Sequence, residues 1–259
     1  MPVISVVTPA YNPVAEYLDA AYESVVGQEL PDGWSLEWLV QEDGAEGRRA
    51  SDILPADPLI QLAGGRRGGV AVTRNLALAR STGQLVKNLD ADDVLMPGVL
   101  ARDIDALEGN PDVHWATSAA LDLLADGSTV AFEGDPPAGR IERGDVVRHW
   151  RDHNYLLPVH PATLCIRRSL AVALGGWMAI PASEDSGLLI AASVVSVGYF
   201  HREPGLRHRK WPGQATASAA HTEPTERNTR MNLISDRADA LTALRWSAGL
   251  AEGIARPAV

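Results

Sequence analysis

The sequence predicts an α/β fold: a Rossmann-like, mostly parallel sheet flanked by helices. Three observations carry this. Apolar, β-branched runs recur between Val3 and Leu89; segments of helical spacing separate them; each run closes in a turn rich in Asn, Asp, Gly or Pro. Strands that alternate with helices imply βαβ units, which build parallel sheets.

The elements follow in order. Residues 3–7 (Val-Ile-Ser-Val-Val) read as a buried strand, closed by Thr8-Pro9-Ala10-Tyr11-Asn12-Pro13. Residues 15–28 place Leu18, Ala21, Tyr22 and Val25 at helical spacing. A second strand over residues 36–40 ends in Gln41-Glu42-Asp43-Gly44-Ala45, and a short third strand over 59–62 leads into Gly64-Gly65-Arg66-Arg67-Gly68-Gly69. Residues 70–81 form a helix and 85–89 a fourth strand, on which Lys87 is only a flanking residue. Beyond Pro97 the expected order is a helix over 99–107, one or two strands over 114–124, a hairpin at Asp126-Gly127 and a Gly/Pro-rich loop over 133–139. A helical stretch over 141–150, a strand over 162–167 and a short helix over 169–174 come next, the last ended by Gly175-Gly176. A helix over 184–197, a strand beginning at Tyr199, a polar loop over 202–216 and a last helix over 228–249 complete the chain.

Composition bounds the function. The chain has 259 residues, 46% hydrophobic and 22% charged, as expected of a globular protein with a sizeable core. A net charge of −10 excludes a general nucleic-acid binder, which needs a basic face. It also means that an anionic ligand must be met by local Arg, Lys or metal. The single cysteine, Cys165, lies in an apolar run and reads as a buried hydrophobe, with no intrachain disulfide possible. The first residues lack the basic and long apolar regions of a signal peptide, and the longest apolar stretch, 187–200, is too short to span a membrane. A cytoplasmic protein without a transmembrane segment is expected.

In sheets of this kind, ligands bind beyond the carboxyl ends of the strands. The turns after the first, second and fourth strands carry Tyr11 and Asn12, Asp43, and the run Leu89-Asp90-Ala91-Asp92-Asp93. They are expected to converge on one cleft. Crowded carboxylates at a strand end repel one another, and a hard divalent cation relieves that repulsion while sharing substrate phosphates. The competing reading of the Asp run is an Asx-rich turn that caps a helix from Val94, with Pro97 in its first turn.

In the order and spacing of these motifs the chain resembles glycosyltransferase family 2, whose members are inverting nucleotide-sugar transferases of the GT-A fold. The matching pieces are Thr8-Pro9-Ala10-Tyr11-Asn12, Glu42-Asp43-Gly44-Ala45, Gly69-Val70-Ala71-Val72-Thr73-Arg74-Asn75 with Gly83, and Asp90-Ala91-Asp92-Asp93 with Pro97. Gly175-Gly176-Trp177 followed by Glu184-Asp185 resembles the family's GG-aromatic and ED pair. The likeness runs from Val3 to Tyr199.

With no repeat, low-complexity segment or clear linker, a single domain of the GT-A type over residues 1–259 is expected. Its parts are a nucleotide-sugar-binding half over 1–98, an acceptor-shaping half over 99–225 and a C-terminal helix over 226–259, which offers a face for a homodimer. The resemblance implies that the turn Pro9, Ala10, Tyr11, Asn12 holds the nucleotide, with Tyr11 against the base and Asn12 also able to cap the next helix. Asp43 would accept from a base N–H or a ribose hydroxyl, and the planar fork of Arg74 suits phosphate or base edges. Arg66 and Arg67 depart from the polar residues usual at their positions and rank below Arg74, while Arg80 reads as part of a solvated helix face. Asp90, Ala91 and Asp92 would meet nucleotide and metal, with Asp90, Asp92 and His208 as the candidate ligands of Mn²⁺ or Mg²⁺. Asp93 reads instead as a cap for the next helix. Asp185 is the implied general base, with Glu184 in support, and His160 and Trp177 could line the acceptor side.

The implied activity is metal-dependent, hexosyltransferase-like transfer of sugar from a UDP-, GDP- or TDP-sugar to a hydroxyl or amine of a soluble small molecule or carbohydrate. Two rivals stand beside it: a non-catalytic nucleotide-sugar-binding protein of the same fold, and a nucleotidyltransferase. The latter normally carries a Gly-rich, Lys-containing loop after its first strand, where this chain has Thr8 to Pro13.

Overall fold

The computed structural model describes residues 1–214, 221 and 223–246. Its strands are β1 (Val3–Ala10), β2 (Ser35–Asp43), β3 (Ile60–Gly65), β4 (Leu85–Asn88), β5 (Val94–Leu95), β6 (Val113–Leu123), β7 (Thr129–Ala131), β8 (Gly139–Ile141), β9 (Cys165–Arg167) and β10 (Val197–Arg209). The helices are α1 (Ala15–Val26), α2 (Val70–Arg80), α3 (Val99–Gly109), α4 (Asp145–Asp152), α5 (Arg168–Ala173), α6 (Glu184–Val195) and α7 (Pro224–Ala243). The strands form one sheet in the order β3-β2-β1-β4-β9-β6-β10-β5, with β7 added to β6 and β8 to β10. β3, β2, β1 and β4 are mutually parallel, and β9 runs antiparallel between β4 and β6. The expected mostly parallel α/β sheet is therefore present.

Side-chain alternation explains the layers. On β1, Ile4 and Val6 point to one face, where they join Leu18, Ala21 and Val25 of α1 and Leu100, Ile104 and Leu107 of α3. Val7 points to the other face, with Leu39 and Val86, toward Ala77 and Leu78 of α2 and Leu188 to Ala192 of α6. Cys165 is fully buried, as its apolar neighbours predict.

Four local expectations are corrected. Val94 does not begin a helix: Val94–Leu95 is a short strand paired with Leu206 and Arg207 of β10, and α3 starts only at Val99, after the left-handed Gly98. The first part of the expected 202–216 loop is strand, because β10 continues to Arg209 between β6 and its two antiparallel neighbours. Its register shifts around Pro204 and Gly205, where proline cannot donate to the ladder, and this bulge hides the strand from sequence reading. Residues 215–216 of that loop, and 247–249 of the expected last helix, lie outside the described residues. Lys87 is a core residue: its side chain is 0% exposed and its Nζ donates to Asp103 Oδ2 at 2.7 Å and to the Thr163 carbonyl at 2.6 Å. Arg80 is likewise no solvated cation, since its guanidinium donates to the carbonyls of Gln61 and Val40 at 3.2 and 3.4 Å.

Candidate active site

The parallel registers of β1, β2 and β4 bring three turns out on one edge of the sheet. Ala10 lies beside Glu42, and Val7 beside Asn88. A shallow cleft opens there, lined by Ala10, Tyr11, Asn12, Asp43 and Arg49 among others. Pro9 sits within β1, opposite Gln41. Tyr11 is 47% exposed, and the guanidinium of Arg67 lies 4.4 Å over its ring. A cation thus covers one face of that ring.

Asn12 adopts a left-handed backbone, φ 42°, which asparagine tolerates better than most residues. Its Oδ1 accepts from the Arg48 backbone N–H at 2.9 Å. It does not cap α1, which begins after Val14 with no side-chain cap. Asp43 is buried, and its carboxylate accepts from Gly68 N–H at 2.6 Å and Gly69 N–H at 3.1 Å. It thus fastens the Gly-rich loop at the mouth of α2, so its contact with a ligand has to use the remaining lone pairs.

Arg74 is the hub. Its side chain is only 3% exposed, and its two terminal nitrogens donate to Asp90 Oδ1 and Glu184 Oε1. The fork therefore faces carboxylates of its own chain rather than an open phosphate position. Burial alone would lower this guanidinium, but Asp90, Glu184 and Asp185 more than offset it and hold it above its ordinary value. Burial, with Asp185 beside it, raises Glu184 to about 7 against the opposing pull of Arg74. Asp185 is the next residue of α6, half-buried, and its Oδ1 accepts from the Ser186 N–H at 2.6 Å.

The neighbouring Asn75 clamps the Gly-Gly-Trp turn that leads to these acids. Its amide donates to the Trp177 carbonyl at 2.8 Å and accepts from the Trp177 N–H at 2.9 Å. Gly176 has φ 68°, and any Cβ there would run into Asn75 Oδ1, so the pairing requires glycine. Trp177 is buried beneath Arg74 rather than open to a ligand, with the guanidinium 5.9 Å from its ring.

The second residue of the Asp90/Asp92 pair is held from the end of β10 and the residues just after it. Asp92 Oδ2 accepts from Trp211 Nε1 at 2.6 Å, and its carbonyl accepts from Arg209 Nε at 2.8 Å. Burial and the nearby Asp90 raise the Asp92 carboxyl above its ordinary range, against the pull of Trp211. Ala91 forms the half-buried turn between the two acids. Asp93 is fully buried and accepts from the Arg209 N–H at 2.8 Å, so it anchors β10 and caps no helix. His208 lies with its ring 4.7 Å from that of His160 and its Nδ1 3.6 Å from Asp122 Oδ1; Lys210 reaches the same oxygen at 3.1 Å. Burial, then the charges of His208 and Lys210, lowers His160 to about 4.

A divalent cation can be tested against this donor set. Among the described residues, no group of three or more His, Cys, Asp and Glu side chains is placed to hold a metal ion, so Asp90, Asp92 and His208 do not form a closed cage. Two hard carboxylates at a cleft edge do fit a cation that takes its other ligands from substrate phosphate and water. Sequence reasoning missed Trp211 as a site residue. The signal was present, since an indole inside the polar run Arg207-His208-Arg209-Lys210-Trp211 needs a partner for its N–H.

Comparison with known proteins bears on the fold. Residues 5–120 match the model of the family described as glycosyl transferase family 2. An uncharacterised glycosyltransferase of Methanocaldococcus jannaschii is 27% identical over 117 residues, covering 43% of this chain and 39% of that protein. One of Haemophilus influenzae is 24% identical over 180 residues, covering 65% of this chain and 53% of that protein. The chain thus spans 39% and 53% of the length of these two curated relatives. The crystal structure of residues 1–349 of S. aureus TarS in complex with UDP-GlcNAc superposes with a TM-score of 0.69 at 17% identity, covering 95% of this chain and 71% of that one. Its complex with UDP gives 0.65 at 16%, covering 95% and 70%. Among the described residues no helix is long and apolar enough to cross a membrane.

Proposed function

We propose that the chain, whose residues 5–120 match the model of glycosyl transferase family 2, is a member of that family and transfers a sugar from a nucleotide-diphospho-sugar to an acceptor hydroxyl with inversion at the anomeric carbon. One observation carries this reading. Arg74 binds Asp90 and Glu184 at once, so the acids of the β4 turn and those at the start of α6 belong to one site. A nucleotide-binding protein without chemistry has no need of a second carboxylate cluster at such a bracket. The UDP-GlcNAc complex of TarS makes a UDP-sugar the first donor to test.

The division of labour follows from the geometry. The turn of Tyr11 and the Asp43-anchored loop receive the nucleotide. Glu184 is committed to Arg74, whereas Asp185 is half-exposed and carries the general-base role. It takes the proton of the acceptor hydroxyl as that oxygen forms its bond to the anomeric carbon. The bond from that carbon to the diphosphate breaks on the opposite face, and the electron pair leaves with the diphosphate. Asp90 and Asp92 would hold Mn²⁺ or Mg²⁺, whose Lewis acidity would stabilise the departing diphosphate.

The test is Asp185→Asn, which keeps shape and removes basicity. With a donor found by calorimetry among UDP-, GDP- and TDP-sugars in Mn²⁺, the variant should bind donor like the wild type. Transfer at saturating donor should fall about 10²–10⁴-fold. Near-wild-type transfer would remove Asp185 from the mechanism. A protein that binds donor but transfers to no acceptor would favour the non-catalytic rival.

A further inference from the structure

We infer that Trp211 is a positioning residue for Asp92: its indole N–H holds one carboxylate oxygen so that the other is presented to the cation. This rests on the donor-site reading above and extends it to a residue outside the matched family region. The bond from Nε1 to Asp92 Oδ2 is 2.6 Å, and it has two companions. Arg209 donates from Nε to the Asp92 carbonyl and from its backbone N–H to Asp93 Oδ1, both at 2.8 Å. The end of β10 therefore grips the turn through backbone and side chain together. An ionised carboxylate has about four lone-pair positions. A fixed donor on one oxygen restricts where the other oxygen points, as groups behind metal ligands commonly do.

The indole is itself fixed. Its ring meets Tyr17 of α1 edge to face, with centroids 5.5 Å apart, and Arg209 lies 4.2 Å over the same tyrosine ring. Its backbone N–H donates to Gln214 Oε1 at 2.9 Å, closing a tight turn. Gly213 packs under the ring, where any Cβ would overlap the indole carbons. Tyr17 is the third residue of α1, so the same stack ties the start of that helix to the Asp90/Asp92 turn.

Three proteins test this: wild type, Trp211→Phe, which keeps a ring and removes the donor, and Gly213→Ala, which displaces the ring and keeps its N–H. The probe is whichever of UDP, GDP and TDP binds the wild type tightest, titrated by calorimetry with Mn²⁺ and again with EDTA. Both variants should lose about 10–100-fold in affinity in Mn²⁺. Their affinity in EDTA should match the wild type, which a general packing defect at the nucleotide site would not allow. Unchanged affinity in Mn²⁺ for either folded variant overturns the inference. A wild type that binds nucleotide equally with Mn²⁺ and EDTA overturns the inference and the cation reading together, and leaves the donor reading standing. A wild type that binds none of the three overturns the donor reading as well.

Discussion

Glu184→Gln should change the pH dependence of stability more than its level. Native Glu184 is held at about 7 by burial and by Asp185, while the exposed side chain in an unfolded chain titrates near 4.5. Between those values the folded protein keeps a proton that the unfolded chain releases. Stability from this group is therefore complete below pH 4.5 and is lost as pH rises through 7. The interval of 2.5 pH units at about 1.36 kcal/mol each corresponds to about 3 kcal/mol. The side chain is 7% exposed, so solvent does little to reduce it. Gln keeps an oxygen for Arg74 Nη1 and has nothing to titrate. His160, Asp92 and Asp93 also titrate differently in the folded state, but they do so in both proteins and cancel in the difference. Chemical or thermal denaturation of both proteins from pH 4.5 to 8 should show wild type losing about 3 kcal/mol relative to the variant. At about 2–4 °C per kcal/mol, that is a relative midpoint shift of about 6–12 °C. Parallel stability curves would refute the argument that folding raises the Glu184 carboxyl.

Two further outcomes follow from buried polar contacts. Lys87→Met leaves the fully buried Asp103 carboxylate without its cation and should cost about 3–5 kcal/mol in urea denaturation. Adding Asp103→Leu should recover most of it, and a double variant no better than the single one would deny the pairing. Asn75→Ala strips both backbone partners from Trp177 and should cost about 1–3 kcal/mol for each group left buried without a bond. A loss under about 0.5 kcal/mol would show that the Gly-Gly-Trp turn holds itself.

Local chemistry made much of the site legible. Asp and Gly stop strands and Asn accepts a left-handed turn, so the presence and order of β1, β2 and β4 are legible, although β1 and β2 run on through residues 8–10 and 41–43, which read as their closing turns. Their convergence needs only the rule that parallel strands deliver their carboxyl ends to one edge. Partnership across the chain was not legible. Arg74 reads equally well as a phosphate fork until Glu184, 110 positions away, is seen to occupy it. Trp211 is 119 positions from Asp92, and Lys87 is buried against a helix that follows it by 16. Charged side chains read as surface by default because burying them is costly. Only their partners overturn that expectation. β10 was hidden for a different reason: Arg202, Glu203 and Pro204 carry the signature of a loop, and its pairing on both sides overrides it.

The Arg74 bracket makes better sense as a registration device than as a source of stability. Arg74 and Glu184 give up their hydration while Asp90 stays partly exposed, and the attraction among the three at best returns what desolvation removes. Apolar residues of the same volume would hold α2, β4 and α6 together as well or better. They would not fix how far α6 sits along the sheet edge, because hydrophobic contact is non-directional. A guanidinium with two directed N–H donors fixes both distance and angle at two carboxylates. The elements it joins come from opposite sides of the antiparallel β9, where the parallel register of the first four strands no longer dictates position. On the function proposed above, an error of about one ångström there would separate Asp185 from a sugar held at the β4 turn. The site therefore places its least forgiving interaction at the one junction that the sheet alone leaves unset.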